Sequence, residues 1–334
     1  MRIILAAGGT GGHIYPALSL AKYLENDNHE VMLISSDNDI SHEILDNQPI
    51  NVKFFKLHGI SREKSLNGIK QNFKTLNELR KVNRQVKELI NEFKPQVCIG
   101  FGSYISYPVI HQALKAKIPT MIHEQNSYPG LVNRQLANKV DYVLYAYQAC
   151  TKFFKDVDSN KLIYVQNPRI SDLIPHHRSD YILFIGGSLG ATRINELAVD
   201  VAPKLDTPVL LVSGSRFNVD QQVSNLTIKP YINNLLDVIK NAKVVITRGG
   251  ATTLLECCSL EKNTIVIPSP NVTADHQTLN AKELADAGHL RYIPESEVDG
   301  DKLIAMINEE FKMKPFEKLD SNKIITDLIK ELCD

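Results

Sequence analysis

The chain has 334 residues, and its 38 Lys+Arg balance 38 Asp+Glu, so the formal net charge is zero. At roughly 150 residues per domain this length predicts two domains. The shares of apolar residues (43%) and charged residues (23%) are those of ordinary globular proteins and exclude a disordered or fibrous chain. Zero net charge argues against a dedicated nucleic-acid-binding protein, which usually carries a basic excess.

The cysteines and the N-terminal segment exclude further classes. The five cysteines are odd in number and form no CxxC pair, which predicts free thiols in a reducing cytosol rather than a disulfide framework or a zinc site. The first apolar run, residues 3–7, is too short for the core of a signal peptide or for a membrane span. No run of 18 apolar residues occurs, so we expect a chain that does not cross a bilayer.

Short apolar runs alternate with longer amphipathic stretches along the chain. Runs of Val, Ile and Leu of this length are typical of parallel strands covered on both faces, and the stretches between them have helical length. This alternation predicts an α/β protein with parallel sheets. The runs lie at residues 3–7, 31–34, 97–99, 120–122, 140–144, 181–185, 209–212, 244–246 and 264–267.

An internal similarity divides the chain into halves. A predicted strand leads into a glycine turn at residues 8–13 (GGTGGH) and again at residues 186–191 (GGSLGA). Two such strand–turn–helix openings imply two nucleotide-binding domains of the Rossmann type. We place these domains at residues 1–166 and 167–319, with the linker in 167–180. A last helix within 320–334 could pack on either domain.

The first glycine turn is a candidate anion site. Glycines let backbone N–H groups approach an anion, and the following helix N-terminus adds partial positive charge. A dinucleotide fingerprint fails here, because its third glycine would fall at Ile14. His13 ends the turn, and a histidine there can take a proton from a hydroxyl group. A simple turn, in which His13 only packs the start of the helix, is the alternative.

Similar turns follow other predicted strands. In the second glycine turn, backbone amides and the hydroxyl of Ser188 suit a diphosphate. Glu256, about one and a half turns into the helix after the turn at 247–250, could accept both hydroxyls of a ribose, although most helix glutamates are solvated. Polar runs at 100–104, 123–126 and 275–280 lie at comparable places. Together these segments predict a cleft with one polar wall from each domain.

Residues 62–94 have a different character. They hold nine basic and four acidic side chains, and Ile69, Phe73, Leu76 and Leu79 recur at helical spacing. A basic amphipathic segment can lie on an anionic membrane surface, where each cation contributes ~1 kcal/mol. An ordinary helix with a solvated basic face is the alternative.

Seven motifs occur in one order along nearly the whole chain, and together they resemble those of the MurG family of bacterial N-acetylglucosaminyltransferases, which act in peptidoglycan synthesis. The motifs are GGTGGH at 8–13, GFGSYISYP at 100–108, HEQN at 123–126, NPR at 167–169, GGSLGA at 186–191, RGGATTLLE at 248–256 and DHQTLNA at 275–281.

The resemblance implies a GT-B fold, α/β in class, with two Rossmann-like domains whose parallel sheets face a central cleft. It implies transfer of GlcNAc from UDP-GlcNAc to the MurNAc 4-hydroxyl of lipid I, with inversion, to give lipid II. His13, or Glu124 as the alternative, would be the catalytic base. A UDP-GlcNAc 2-epimerase or a UDP-sugar hydrolase of the same architecture is the alternative function.

The resemblance also implies substrate contacts. The acceptor diphosphate would lie at Thr10, Gly11 and Gly12, and Tyr104 belongs to the substrate-binding set. Arg169 would assist the departing UDP. Contacts to UDP-GlcNAc are implied for Asn126, Ser188, the backbone of Ile232, Ala251, Thr252, Thr253, Glu256 and Gln277.

The implied partners are UDP-GlcNAc, lipid I, other cell-wall synthesis proteins and an anionic membrane surface contacted through residues 62–94. No nucleic acid, metal or required cofactor is implied, with stimulation by a divalent cation left open. The protein would lie peripherally on the cytoplasmic face of the bacterial cell membrane. The chain departs from the usual family pattern at Ser103, Tyr107, Arg169, Leu189 and Gly249.

Overall fold

The computed structural model describes residues 1–60, 65–176, 180–186, 190–215, 217, 222–232 and 234–334. The strands found there are β1 (Arg2–Ala6), β2 (Glu30–Ser36), β3 (Asn51–Phe55), β4 (Val97–Gly100), β5 (Thr120–Glu124), β6 (Tyr142–Tyr145), β7 (Leu162–Tyr164), β8 (Tyr181–Ile185), β9 (Val209–Val212), β10 (Leu226–Lys229), β11 (Ala242–Thr247), β12 (Asn263–Val266) and β13 (Arg291–Tyr292).

The α-helices of the same residues are α1 (Gly11–Asn26), α2 (Asp39–Leu45), α3 (Leu66–Phe93), α4 (Ser103–Lys115), α5 (Leu131–Leu136), α6 (Thr192–Val201), α7 (Leu235–Lys240), α8 (Ala251–Ser259), α9 (His276–Asp286), α10 (Gly300–Asn308) and α11 (Ser321–Cys333). Short 3₁₀ turns, Pro168–Ile170 among them, complete the regular structure.

The chain divides into two units. The N-terminal unit comprises Met1–Ser171 with Leu319–Asp334, and the C-terminal unit comprises Asp172–Lys318. The first holds a sheet in the order β3-β2-β1-β4-β5-β6-β7, the second a sheet in the order β10-β9-β8-β11-β12-β13. All the strand pairs described are parallel. Both sheets therefore have the doubly wound order, and the predicted pair of Rossmann-like domains with parallel sheets is confirmed.

Both faces of the N-terminal sheet are buried. Ile4 and Ile34 join an apolar cluster that includes Val86 of α3. Ile3 and Leu33, whose side chains point to the opposite face, join a second cluster with residues of α1 and α11. Because successive side chains alternate between two covered faces, the strands read as continuous apolar runs in the sequence.

The C-terminal sheet is covered in the same way on the face that carries α6 and α10. Phe184 of β8 and Ile246 of β11 pack there with Ile194 of α6 and Leu303 of α10. Each of these four side chains is fully buried. This core therefore fixes the strand ends from which the turns of the C-terminal unit start.

The strand order also decides which turns become neighbours. β1 pairs with β4 so that Ala6 lies beside Gly100, and β8 pairs with β11 so that Ile185 lies beside Thr247. Between these paired strands the strand order of each sheet reverses. Ligands of doubly wound sheets bind outside the carboxyl ends of the strands at such a point. The turns that follow β1 and β4 therefore start side by side.

The boundary between the units differs from the predicted one after residue 166. The segment Pro168–Ile170 stays with the N-terminal unit because Ser19 Oγ of α1 donates a hydrogen bond to the Pro168 carbonyl (2.9 Å). The N–H of Leu319 donates to Gln166 Oε1 (2.8 Å), which returns the chain to this unit. From there α11 buries Ile325 and Ile329 in the cluster formed with β1 and α1.

The long helix α3 changes character along its 28 residues. Val82, Val86 and Ile90 of its second half are buried in the core, whereas Phe73 and Leu76 of its first half are 66% and 43% exposed. Residues 62–64 of the predicted basic segment lie outside the described residues. Among the described helices, none is both long enough and apolar enough to cross a membrane.

We expect Ile329→Ala to lower the free energy of unfolding by about 2–5 kcal/mol, because it leaves a cavity where α11 packs in the N-terminal unit. Urea unfolding followed by circular dichroism measures the change. Ile60→Ala, at a position 53% exposed in the same unit, is the matched control, and it should change stability by less than ~0.5 kcal/mol. Equal effects of the two substitutions would show that α11 adds no packing energy.

Candidate active site

The turn after β1 leads into the N-terminus of α1. Thr10 is the N-cap, with extended backbone angles (φ −144°, ψ 159°) and no hydrogen bond from its side chain to the helix. Thr10 and Gly12 are exposed and Gly11 is partly exposed. The first turn carries no acidic side chain. The three residues predicted to hold a diphosphate thus lie together at the positive end of a helix.

The turn after β4 packs against His13. Gly102 has φ +83°, which favours glycine, and a Cβ atom there would lie 3.1 Å from both Cε1 and Nδ1 of the His13 ring. The backbone of Gly102 therefore covers one edge of the imidazole. Tyr104 follows at the start of α4 and is partly buried against Gly59, the residue whose added Cβ would lie 2.5 Å from its ring.

A chain of hydrogen bonds runs from His13 into the core. His13 Nδ1 lies 2.8 Å from Gln125 Oε1. Gln125 Nε2 donates to His123 Nδ1 (2.9 Å) and to the His123 carbonyl (3.1 Å). His123 Nε2 lies 2.8 Å from the Gln166 carbonyl. His123 and Gln125 are both fully buried, so this network is shielded from water.

The environment of His123 keeps its ring neutral. Burial lowers the pKa of His123 from its usual 6.5 to about 4, and the nearby His13 acts in the same direction. The hydrogen bond to the Gln166 carbonyl opposes this shift of the pKa and is the smaller effect. Phe101 stacks on the ring, with centroids 5.3 Å apart. His123 therefore carries a single proton at neutral pH.

Glu124 organises the loop that follows β5. Its Oε1 accepts a hydrogen bond from the Asn126 N–H (2.9 Å), and its Oε2 accepts from the Gly130 N–H (2.9 Å) and from Asn133 Nδ2 (2.8 Å). The carboxylate is buried, at 1% exposure. Both oxygens are thus engaged by loop groups, which makes Glu124 a poorer candidate than His13 for taking a substrate proton.

Two further predicted residues of the N-terminal unit have identifiable surroundings. The Asn126 side chain is partly exposed and lies 3.4 Å from Glu124 Oε1. The Arg169 guanidinium stacks over the ring of Tyr15, 4.8 Å from its centroid. Tyr15 is the second residue after His13 in α1, so Arg169 lies beside the helix whose N-terminus is the candidate diphosphate site.

In the C-terminal unit, Gln277 ties two turns together. Its Oε1 accepts from the N–H groups of Gly249 (3.2 Å) and Ser269 (2.9 Å), which orients the amide NH₂ away from both. A Cβ atom at position 249 would collide with the carbonyl of Gln277, so this turn requires glycine. The departure from the family pattern at Gly249 therefore matches the close approach of α9.

The remaining predicted donor residues lie around the start of α8 and beyond β10. Ala251, Thr252 and Thr253 form the first turn of α8, and Gly250 is its N-cap. Glu256, which the sequence alone could also place on a solvent-exposed face, is buried at 6% exposure. Ile232 is partly exposed. The predicted contacts at Ser188, together with the departure at Leu189, lie outside the described residues.

The sequence alone predicts no role for Gln125 or Asn133. In the structure Gln125 contacts His13 and Asn133 contacts Glu124. Gln125 could have been found, because it belongs to the polar run 123–126 at the end of β5. Asn133 gave no such signal, since it lies in α5 among ordinary loop and helix residues. Within the ranges that the structure describes, no group of three or more His, Cys, Asp or Glu side chains is arranged to hold a metal ion.

Comparisons with known proteins match both units. The glycosyltransferase family 28 N-terminal domain matches residues 3–145, and the family 28 C-terminal domain matches residues 181–332. A relative from Lactococcus lactis subsp. lactis (strain IL1403) is 34% identical over an alignment 362 residues long, which covers 99% of this chain and 99% of the relative. That relative is named UDP-N-acetylglucosamine–N-acetylmuramyl-(pentapeptide) pyrophosphoryl-undecaprenol N-acetylglucosamine transferase.

Solved structures support the same fold. MurG from Acinetobacter baumannii has a TM-score of 0.75 at 24% identity, with 99% of both chains covered. A UDP-GlcNAc 2-epimerase from Methanocaldococcus jannaschii has a TM-score of 0.68 at 16% identity, covering 99% of this chain and 100% of that one. At these identities the two structures show the fold alone.

We expect His123 to make the stability of the protein depend on pH. Its pKa of about 4 lies below the usual value of 6.5, so the unfolded state binds more protons between these two pH values. Stability should therefore fall as the pH drops from 6.5 to 4, by at most roughly 3 kcal/mol from this group.

Urea unfolding across this pH range, compared between the wild type and His123→Asn, isolates the contribution of His123. The variant should show a shallower loss of stability toward low pH. The Cε1–H resonance of His123 gives the titration directly by NMR. A midpoint near 6.5 for that resonance would contradict the expected neutral, buried ring.

Proposed function

We infer, since this chain belongs to glycosyltransferase family 28 and to the MurG type within it, that it transfers N-acetylglucosamine from UDP-GlcNAc to the MurNAc 4-hydroxyl of lipid I, forming lipid II. One observation carries this inference at the level of the site: a histidine held by a buried network lies in the first turn of a helix that begins with glycines and has no acidic side chain there. A base and an anion site at adjacent residues suit an acceptor that carries a hydroxyl and a diphosphate.

The acceptor is assigned to the N-terminal unit. Thr10, Gly11 and Gly12 offer backbone N–H groups and the positive end of α1 to its diphosphate. Arg169 stacks beside the same helix through Tyr15. Its charge is therefore placed to favour phosphate on the acceptor side, in addition to the role toward the departing UDP that the family resemblance implies. Tyr104 borders this region at the start of α4.

His13 acts as the general base in the proposed reaction. It accepts the proton of the attacking hydroxyl while the sugar transfers with inversion at its anomeric carbon. A positioned base contributes roughly 10²–10⁴ in rate. Glu124 is the weaker candidate, because its two oxygens are occupied by hydrogen bonds from the loop and from Asn133.

The donor is assigned to the C-terminal unit, and the family resemblance also implies a contact of UDP-GlcNAc with Asn126. The start of α8, with Ala251, Thr252 and Thr253, offers a helix N-terminus to the phosphates. Glu256 is assigned to the ribose hydroxyls on the family resemblance, and it lies buried in α8 at 6% exposure. Gln277 is assigned to the sugar through the NH₂ group that its two accepted hydrogen bonds leave as donor.

Two donor contacts complete the proposal. The Ile232 backbone is assigned to the uracil and Ser188 to the diphosphate, both on the family resemblance. The charge that develops on the departing UDP would then be stabilised by backbone amides and helix dipoles fixed before the reaction.

We also propose peripheral association with an anionic membrane at its cytoplasmic face. Phe73 and Leu76 of α3 are exposed beside the cations Lys70, Lys74 and Arg80. The loop before α3 lies against this half of the helix, since Thr75 Oγ1 donates a hydrogen bond to the Gly59 carbonyl (3.4 Å). Ile60 of the same loop is 53% exposed. Apolar side chains flanked by cations suit insertion among anionic headgroups, where a lipid-borne acceptor resides.

The purified protein should convert UDP-GlcNAc and a short-chain lipid I analogue into the β-1,4-linked disaccharide product, detected by mass spectrometry. His13→Ala should lower kcat roughly 10²–10⁴-fold, because the base is lost, while the Kd for UDP-GlcNAc stays close to that of the wild type. Full activity of His13→Ala would remove this residue from the chemistry.

An incubation without acceptor is the control for the alternative functions. An epimerase or a hydrolase consumes UDP-GlcNAc alone, whereas the proposed transferase leaves it largely intact. Rapid acceptor-independent conversion, with no disaccharide when acceptor is added, would overturn the proposed function.

Membrane association is tested by sedimentation with vesicles of phosphatidylglycerol and phosphatidylcholine. The wild type should bind anionic vesicles more strongly than vesicles of phosphatidylcholine alone, and Phe73→Ser should weaken that binding, because it removes an inserting aromatic ring. Ile174→Ser, at a residue 74% exposed in the C-terminal unit, is the matched control and should bind as the wild type does. Equal losses for both variants would contradict the assignment to α3.

A further inference from the structure

The buried end of the hydrogen-bond chain fixes one proton. His123 Nε2 lies 2.8 Å from the carbonyl oxygen of Gln166. A carbonyl oxygen only accepts hydrogen bonds, so His123 Nε2 must carry the proton. The ring is neutral, because burial holds its pKa far below neutral pH. His123 Nδ1 is therefore an acceptor.

The orientation of the Gln125 amide follows from that acceptor. One end of the amide lies 2.9 Å from His123 Nδ1 and 3.1 Å from the His123 carbonyl, and both partners accept. Only the NH₂ end of an amide can satisfy two acceptors, so the usual ambiguity between amide oxygen and nitrogen is absent here. The Gln125 carbonyl oxygen must then point at His13.

The position of the proton on the neutral His13 ring follows from its contact with Gln125. Its Nδ1 lies 2.8 Å from Gln125 Oε1, an atom that only accepts, so Nδ1 carries the proton. In the neutral ring Nε2 then holds the lone pair, and among the described residues no hydrogen-bond partner occupies it. Gly102 packs along the Cε1–Nδ1 edge and limits rotation of the ring.

We propose that Gln125, oriented by His123, is a positioning residue that keeps the proton of neutral His13 on Nδ1 and so presents a basic Nε2 to the acceptor hydroxyl. This inference rests on the proposed function, because it assigns the atom that takes the proton in that reaction. It assigns no contact between Gln125 and substrate. The hydrogen bond between His13 and Gln125 joins residues 112 positions apart in the sequence, so it exists only in the folded protein.

The proton and the electrons balance through this arrangement. The acceptor O–H bond breaks as the new bond from oxygen to the anomeric carbon forms, and the proton passes to His13 Nε2. The electron pair of the bond between the anomeric carbon and the phosphate oxygen leaves with UDP. The resulting imidazolium still donates from Nδ1 to Gln125, whose carbonyl dipole stabilises the new charge.

The tautomer can be measured directly. We expect the ring ¹⁵N chemical shifts of the neutral form of His13 in the wild type to show a protonated Nδ1 and an unprotonated Nε2. Gln125→Leu, which keeps the approximate volume and removes the amide, should give a mixture of the two tautomers. A wild-type His13 that is protonated mainly on Nε2 would overturn the proposal.

Kinetics separate positioning from mere structural support. Gln125→Leu should lower kcat roughly 10–10³-fold, less than complete loss of the base, and leave the Kd for UDP-GlcNAc unchanged. Gln125→Glu places a carboxylate beside Nδ1–H and should shift the acidic limb of the kcat/KM profile to higher pH, because a negative partner favours the protonated ring.

Gln112→Leu is the matched control. Gln112 is also a buried glutamine of the N-terminal unit, and its Nε2 donates to Asn83 Oδ1 (2.7 Å) outside the site. This variant should lose stability while keeping the kcat and the pH profile of the wild type. If Gln112→Leu lowers kcat as much as Gln125→Leu does, the role of Gln125 is structural and the proposal fails.

The two readouts keep this inference distinct from the proposed function. The ¹⁵N measurement needs no turnover, so a protein without transferase activity refutes the function and leaves the tautomer to be judged by itself. An active transferase with His13 protonated on Nε2 refutes the positioning role alone. Should Gln125→Leu fail to fold, the wild-type tautomer still decides.

Discussion

A single constraint governs the N-terminal site: a carbonyl oxygen cannot donate a hydrogen bond. The Gln166 carbonyl lies at the buried end of the chain through His123 and Gln125 to His13. Each member can satisfy its neighbour in only one way, so the direction of every bond follows from the first. Burial strengthens this logic, because an unpaired polar group costs about 1–3 kcal/mol away from water.

The polar residues 123–126, at the end of β5, belong to two different hydrogen-bond networks. His123 and Gln125 connect His13 to the core, whereas Glu124 accepts hydrogen bonds from Asn126, Gly130 and Asn133. Four polar residues in a row therefore serve two separate networks. The carboxylate has both oxygens engaged by the loop, whereas His13 has one nitrogen engaged, and the proposed reaction uses the other. This division explains why His13, rather than Glu124, is assigned as the base.

The two units use the same fold for different tasks. In each, the strand order brings two turns together at the carboxyl ends of neighbouring strands. The N-terminal unit combines a glycine-rich helix N-terminus with the ring of His13, while the C-terminal unit places a buried carboxylate and the anchored amide of Gln277 near the start of α8. In the proposed reaction, helix dipoles supply fixed charge to phosphates in both units, and His13 of the N-terminal unit is the base.

The amino-acid pattern alone predicts the α/β class, the two doubly wound sheets and the interior strands, because strands buried on both faces must be apolar throughout. It also singled out His13 and the run that contains Gln125. The strands it did not predict, β3, β7, β10 and β13, are those at the edges of the two sheets. Edge strands are only partly covered, so polar residues interrupt their apolar pattern, as in Asn51–Phe55 and Leu226–Lys229.

The hydrogen-bond partners of the polar side chains follow only from the folded chain. Spacing along the chain cannot show that Gln125 bonds to a ring 112 residues away, or that Asn133 completes the partners of Glu124. It also could not show that Pro168–Ile170 stays with α1. The local sequence pattern indicates whether a side chain is buried, since burial favours apolar side chains. The choice of hydrogen-bond partner depends on positions that the whole fold sets, and so it is absent from any short stretch of sequence.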